Sequence, residues 1–213
     1  SGMKAPAFDY VRVASTTEAC AALAQHGPDA RLLAGGQSLL PAMNLRLASP
    51  SVLIDIGRIR GLDSIEVRDG RLRIGALVRH ETALRDATIA SHVPLLTEAL
   101  RHVAHPAVRA RGTIGGNLAH ADPASELPAC MVALNAVIAA TSARGMRHVS
   151  AGAFFTGLFQ TALEPDEMLT SVEIPLPAPA WFFQEIVRRS GDYAIVGLAV
   201  SGDRLAFFSV ADR

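Results

Sequence analysis

The sequence predicts an α+β fold whose strands pair mainly antiparallel in the middle of the chain. Three observations carry this: a capped helix near the start, an Asp-Gly hairpin flanked by alternating apolar residues, and short apolar runs separated by helical patterns. Half of the 213 residues are apolar, enough to fill a substantial core.

Ser15-Thr16-Thr17-Glu18 matches a capping box and Gly27 supplies a C-terminal stop, so 16–26 is expected to be a helix. Arg31 to Leu33 is a short strand that runs into a glycine pair, and Val52 to Ile56 is a second apolar strand. Residues 1–57 therefore resemble a small α/β unit. Ile65-Glu66-Val67-Arg68 and Arg71-Leu72-Arg73-Ile74 alternate around Asp69-Gly70, a strong hairpin signal. Helical patterns follow at 80–86 and 94–104, the second bounded by Pro106. Residues 125–135 are expected to be a helix, 136–141 a strand, and Met168 to Ile174 another strand. Pro175-Leu176-Pro177-Ala178-Pro179 marks the best domain boundary. Beyond it, Phe182 to Val187 and Leu205 to Val210 belong to a second sheet, and Ala194 to Val200 is an apolar run of either type. That last unit is small for a core of its own. Either it packs on the main body or sequence is missing.

Twenty basic and twenty acidic residues balance to a formal charge of zero, which argues against a nucleic-acid partner. Cys20 and Cys130 lie in Ala-rich apolar patterns and are expected to be buried, reduced thiols. No Cys/His spacing suggests a metal or an iron–sulfur cluster. The longest apolar stretch, Leu127 to Ala140, is broken by Asn135 and is too short to span a bilayer. Ser1-Gly2 before Met3 looks like an expression remnant, and no secretion signal follows, so the expected location is the cytoplasm.

Two glycine pairs stand out against an ordinary glycine content. The first is Ala34-Gly35-Gly36-Gln37-Ser38 and the second is Thr113-Ile114-Gly115-Gly116-Asn117. Missing Cβ atoms let backbone N–H groups approach phosphate oxygens, and each segment adds an uncharged hydroxyl and carboxamide. Neither is a G-x-G-x-x-G fingerprint or a Walker loop. Two such loops invite a dinucleotide held between them. Downstream, Asp122 and Glu126 suit either helix capping or the hydroxyls of a ribose or polyol. His120, three residues past the second segment in the same loop, is placed to touch a ligand. His102 and His105, three apart, are expected to have surface or capping roles. Nothing resembles a catalytic triad or an activated cysteine, so any chemistry is brought by a cofactor.

AGGQSLLPAMNLRL and RGTIGGNLAHADPASELPA resemble the two FAD-binding signatures of the flavoprotein (medium) subunit of molybdenum hydroxylases, the carbon monoxide dehydrogenase and xanthine dehydrogenase family. A third block, Phe183 to Ala194, resembles the segment that opens the family's C-terminal domain. The resemblance implies a two-subdomain FAD-binding domain of the vanillyl-alcohol-oxidase (PCMH) type. Its subdomains would span 4–57 and 58–177, and 178–213 would begin an incomplete C-terminal α+β domain. It implies a diphosphate on 34–38 and 113–117, ribityl or ribose hydroxyls near Asp122 and Glu126, and Tyr193 beside the flavin ring. No side chain is implied as catalytic, because the flavin carries the chemistry. The partners implied are an iron–sulfur small subunit with 2Fe–2S clusters and a molybdopterin large subunit. Electrons would pass from those clusters through FAD to an external acceptor. A free-standing flavoenzyme acting on a small substrate is the alternative, and a module that has lost its flavin is a third reading.

Two departures accompany the resemblance. Family members often carry a lysine near position 185, where this chain has Glu185. They also continue past the position of Arg213 and have longer junctions near 179–181 and 201–204. Segments are therefore expected to be missing from this sequence, with the numbering closed over the gaps.

Overall fold

A computed structural model describes residues 7–210. The expected remnant at Ser1-Gly2 and the outermost residues of the units expected at 4–57 and 178–213 lie outside the described residues.

The first sheet is parallel. Strand β1 (Asp9–Arg12) and strand β2 (Ala30–Leu33) flank β3 (Val52–Asp55), and both run parallel to it. Helix α1 (Thr16–His26) connects β1 to β2, and the short α2 (Leu39–Asn44) lies between β2 and β3. Ser15 Oγ accepts from Glu18 N at 3.1 Å, as a capping box requires. The Glu18 carboxylate reaches one residue further back than the motif specifies, accepting from Ala14 N at 2.7 Å. Gly27 ends the helix at φ 62°. The buried face of α1, which includes Ala19, Cys20 and Leu23, packs with Val52 and Ile54 of β3.

The second sheet is antiparallel, with strands β4 (Ile65–Arg68), β5 (Arg71–Gly75), β6 (Val137–Ser142), β7 (Gly145–Ser150) and β10 (Met168–Pro175). They lie in the order β4-β5-β10-β6-β7. Asp69 and Gly70 take φ values of 51° and 70°, the two left-handed positions that a tight two-residue hairpin needs. Six helices separate β5 from β6 in the chain: α3 (His80–Arg85), α4 (Ala87–His92), α5 (Pro94–His102), α6 (Pro106–Arg109), α7 (Ile114–His120) and α8 (Glu126–Ala133). After β7 come α9 (Ala151–Phe154) and the small hairpin of β8 (Phe155–Gly157) and β9 (Gln160–Thr161). The core contains Leu95, Leu96 and Leu100 of α5 with Leu72 and Ile74 of β5. Each such buried side chain contributes about 1.5–3 kcal/mol over an exposed one.

The third sheet joins β11 (Trp181–Ile186), β12 (Val196–Ser201) and β13 (Arg204–Phe208) as an antiparallel meander. The apolar run 194–200 thus resolves as strand β12. Ala199 and Phe208 belong to the same core as α5 and α8, so this sheet packs on the main body.

Several local expectations are corrected. The segment 113–117 is not a loop: Thr113 caps α7, and both glycines of the second pair lie in its first turn. Asp122 does not cap the next helix, whose N-cap is Ser125. Instead Asp122 Oδ1 accepts from Ala124 N at 2.9 Å in a turn before it. His105, expected in a surface or capping role, stands at the N-cap of α6, and His102 ends α5. The expected 80–86 helix ends at Arg85, where Asp86 caps α4 by accepting from Ile89 N at 2.8 Å. Both cysteines are buried and free. Among the described residues, no helix is long and apolar enough to cross a membrane, and no cluster of His, Cys, Asp and Glu could hold a metal.

Candidate functional site

The two glycine segments touch. Residues 34–38 leave the C-terminal end of β2 in the parallel sheet and enter α2, while 111–113 lead from α6 into α7. A Cβ built on Gly35 would lie 2.2 Å from the Arg111 carbonyl oxygen, so the absence of a side chain brings the two backbones together. A Cβ on Gly115 would lie 2.6 Å from the Cβ of Ala76, so this glycine seats α7 on the end of β5. Gly116 differs. Apart from the hydroxyl of Thr113, the nearest atom to a Cβ there is Ala34 Cβ at 4.0 Å, across the seam between the segments.

The two segments offer different donors. The N–H groups of Ile114 and Gly115 bond to the carbonyls of Val78 and Ala76 at 2.9 and 2.8 Å. Gly116 N donates to Thr113 Oγ1 at 3.0 Å and Asn117 N donates to the Thr113 carbonyl at 3.0 Å. The expectation that N–H groups throughout 113–117 stand free for an anion is therefore corrected. By contrast, the N–H groups of Gly35, Gly36, Gln37 and Ser38 have no acceptor among the described residues. Gly36, at φ 72°, turns this stretch into α2, and Gln37 Nε2 donates to Gly35 O at 3.2 Å. Ser38 makes no side-chain cap. Thr113 is buried as a cap and Ile114 as core, while Asn117 accepts from Ser125 Oγ at 2.9 Å and keeps its amide N–H groups.

The second segment is fastened from behind. His80 N donates to Gly112 O at 3.0 Å, and the Arg79 guanidinium donates to the Arg111 carbonyl. The His80 ring is buried, and neither nitrogen makes a well-formed hydrogen bond, although the Thr113 backbone lies beside it. Burial lowers its pKa to about 4, and the nearby Arg109 charge adds to this. No sequence signal marked Arg79 or His80, because their partners lie on a different stretch of backbone.

Asp122, Glu126 and Tyr193 form a second group. Tyr193 is 72% exposed at the mouth of an open cavity of about 530 Å³ that Arg188, Gly191, Asp192 and Ile195 also line. The Tyr193 pKa is raised first by partial burial and then by the Asp122 carboxylate. Glu126 is buried at the start of α8. Burial first, and then the Glu185 carboxyl, push its pKa above the carboxylate range. His120 stands apart at the far end of α7, its ring 5.2 Å from that of Phe159. His102, expected at the surface, bridges Glu98 and Glu185.

The family model described as an FAD binding domain in molybdopterin dehydrogenase matches residues 6–177. The chain is similar to the nicotine 6-hydroxylase medium subunit of Paenarthrobacter nicotinovorans, 44% identical over 198 residues, covering 93% of this chain and 70% of that protein. It is also similar to the carbon monoxide dehydrogenase medium chain of Hydrogenophaga pseudoflava, 39% identical over 212 residues, covering 97% of this chain and 74% of that one. Among solved structures, quinoline 2-oxidoreductase from Pseudomonas putida 86 superimposes with a TM-score of 0.93 at 46% identity, over 99% of this chain and 77% of that chain.

Proposed function

The chain belongs to the family of FAD-binding domains of molybdopterin dehydrogenases, and we propose that it holds the diphosphate of FAD chiefly on the free N–H groups of residues 35–38. The family is that of the FAD subunits of molybdenum hydroxylases, with the PCMH-type fold, and FAD is the cofactor. In this reading the chain is the electron-transferring flavoprotein part of an oxidoreductase complex.

The donor set fits a diphosphate. Residues 35–38 offer four N–H groups with no acceptor among the described residues, Gln37 and Asn117 add neutral amides, and no carboxylate occurs within 34–38 or 111–117. Fixed donors of this kind suit an anion without a reorganisation cost. When bound, FAD supplies the capacity to accept and release electrons. Ala34 and Gly116 would leave room beside it, while Thr113, Ile114 and Gly115 hold α7 in place. Asp122, Glu126 and Tyr193 would meet the polyol and ring end, with His120 at the margin. The site requires neither catalytic nor metal-binding residues from this chain.

The finer assignments belong to the same proposal. The units in this reading are 4–57, 58–177 and 178–213, each holding one of the three larger sheets, with the third packed on the core of the second. Relatives named as a medium subunit and a medium chain support assembly with further subunits, which in this reading are an iron–sulfur subunit and a molybdopterin subunit in the cytoplasm. The row of free N–H groups carries the site assignment. Titration of FAD into flavin-free protein, followed by quenching of flavin fluorescence, is expected to saturate at one FAD per chain. Gln37→Glu places a carboxylate in the cradle and is expected to weaken binding at least about tenfold, the factor for about 1.4 kcal/mol. Unchanged affinity in that variant would remove the diphosphate from 35–38.

A further inference from the structure

A full positive charge stands beside the neutral donors of the two glycine segments. Arg79 follows β5, and its stretch of backbone is laced to the second segment. Val78 O accepts from Ile114 N at 2.9 Å, His80 N donates to Gly112 O at 3.0 Å, and Arg79 itself pairs with Thr113 as an antiparallel bridge. The half-buried Arg79 side chain donates to the Arg111 carbonyl. A Cβ on Gly35 would meet that same oxygen at 2.2 Å. One oxygen atom thus adjoins both the guanidinium and the first residue of the row 35–38. The guanidinium is no farther from Gly35 than that contact plus one hydrogen bond of about 3 Å.

This charge is not committed elsewhere. Glu81, the acid nearest to Arg79 in sequence, is taken by Arg85 at 2.7 Å and by Arg109 at 3.3 Å. Among the described residues, Arg79 makes no ion pair, and its one side-chain hydrogen bond goes to Arg111 O. Arg109, the next cation along, also donates to the carbonyls of Val103 and Ala104, each at 3.2 Å. The Arg111 side chain is exposed. A guanidinium carries five N–H donors in a fixed fork, and a single carbonyl leaves most of them for other oxygens.

We propose that Arg79 is the counter-charge of the FAD diphosphate, its guanidinium held by the Arg111 carbonyl on one side and bonded to a phosphate oxygen on another. The proposal rests on the reading that places the diphosphate on 35–38. Backbone N–H groups and the amides of Gln37 and Asn117 orient phosphate oxygens but bring only partial charges. Arginine adds a full charge in a geometry that matches phosphate. The residue therefore sets specificity: it favours a flavin that carries a diphosphate over one that carries none.

A purely structural Arg79 would act through the Arg111 carbonyl alone, and its charge would not matter. Arg79→Gln keeps amide donors for that carbonyl and removes the charge. Arg79→Lys keeps the charge and a donor and loses only the fork. Attraction between a half-exposed cation and a phosphate is weakened by salt, whereas the hold on a neutral carbonyl is much less so. Riboflavin, with the ring and ribityl chain but no phosphate, isolates the same difference from the ligand side.

Fluorescence titrations of the full, flavin-free chain with FAD and with riboflavin, each at low and high salt, test the proposal. Wild-type protein is expected to bind FAD more weakly as salt rises. Arg79→Gln is expected to bind FAD at least about tenfold more weakly at low salt, the factor for about 1.4 kcal/mol. It is also expected to lose the salt dependence and to leave riboflavin affinity unchanged, while Arg79→Lys retains the salt dependence. Wild-type FAD affinity in Arg79→Gln would overturn the proposal, as would a salt dependence absent from Arg79→Lys. Equal losses for FAD and riboflavin would also overturn it, because the residue would then act through the shape of the seam. Calorimetry with inorganic pyrophosphate separates this from the cofactor reading. If wild-type protein bound no FAD, that reading would fail, and pyrophosphate bound by wild type but lost in Arg79→Gln would still support the anion contact. Wild-type protein that bound neither would refute both.

Discussion

Gly35 lies so close to Arg111 that a Cβ on it would stand 2.2 Å from the Arg111 carbonyl oxygen and 3.0 Å from Gly112 Cα. Both neighbours are backbone, and the Arg111 carbonyl also accepts from the Arg79 guanidinium. The first glycine of the first pair is therefore a packing requirement that joins the parallel sheet to the helical layer of the second unit. Its neighbours 36–38 then stand free at the seam.

Gly35→Ala is expected to destabilise the protein by about 1–3 kcal/mol, the range for overfilling a packed contact, because neither backbone can move without disturbing the seam. Thermal unfolding of flavin-free protein reads this directly. A melting temperature unchanged from wild type would show that the seam opens freely.

Gly116→Ala separates a ligand effect from a packing effect. Its Cβ would meet Thr113 Oγ1 at 2.8 Å and is otherwise in open space towards Ala34. Disturbing that cap costs about 1 kcal/mol. Thr113→Ala removes the same cap without adding an atom at the seam, so the two variants are expected to melt alike. Only Gly116→Ala is expected to lose FAD affinity, by tenfold or more. Equal affinities in the fluorescence titration would place the cofactor away from this turn.

The elements legible in the sequence are those whose cause is local. Helix α1 announces itself through Ser15 and Glu18, and the β4–β5 hairpin through Asp69-Gly70. Strand β7 was not legible, because Gly145-Met146-Arg147-His148-Val149-Ser150 lies at a sheet edge with little burial to impose alternation. Helix α7 was hidden by its own glycines, which oppose helix formation by roughly 1 kcal/mol each. Tertiary contact offsets that cost: Ile114 and Leu118 are fully buried and Gly115 sits on Ala76. The site shows the same division. Both glycine segments are visible as motifs, yet their unequal donor sets depend on Val78 and Ala76, which no local pattern links to residues 114 and 115. Glu185 was noticed only as an acid where a lysine is common, and its meeting with Glu126 is a long-range event.

His80 sets an acid limit on stability. Its folded-state pKa, about 4, lies below the ordinary 6.5, so the unfolded chain binds a proton first as pH falls. Its contribution is fully present above 6.5 and is lost as pH drops from 6.5 towards 4, by on the order of 3 kcal/mol. His80→Leu, which keeps an apolar side chain beside Gly112, is expected to flatten the urea-unfolding free energy across that window. A wild-type profile in the variant would assign the acid loss to another group.

Glu126 works in the opposite direction. Burial, followed by the Glu185 carboxyl, raises its folded-state pKa, so the folded protein keeps a proton that the unfolded chain has released. The associated stability is fully present below the ordinary carboxylate range and falls as pH rises through that range towards the raised value. Glu126→Gln has nearly the same shape and can donate to Glu185 at every pH. The variant is therefore expected to match wild type in weak acid and to melt progressively higher than wild type as the solution becomes alkaline. Removing His102 instead takes away the imidazole that faces Glu185 at 3.2 Å, and is expected to steepen the alkaline loss. Melting curves across pH for these two variants and wild type check the sign. If Glu126→Gln followed the wild-type slope, the buried carboxyl would be ionised in the folded protein, with a cation near it other than those named.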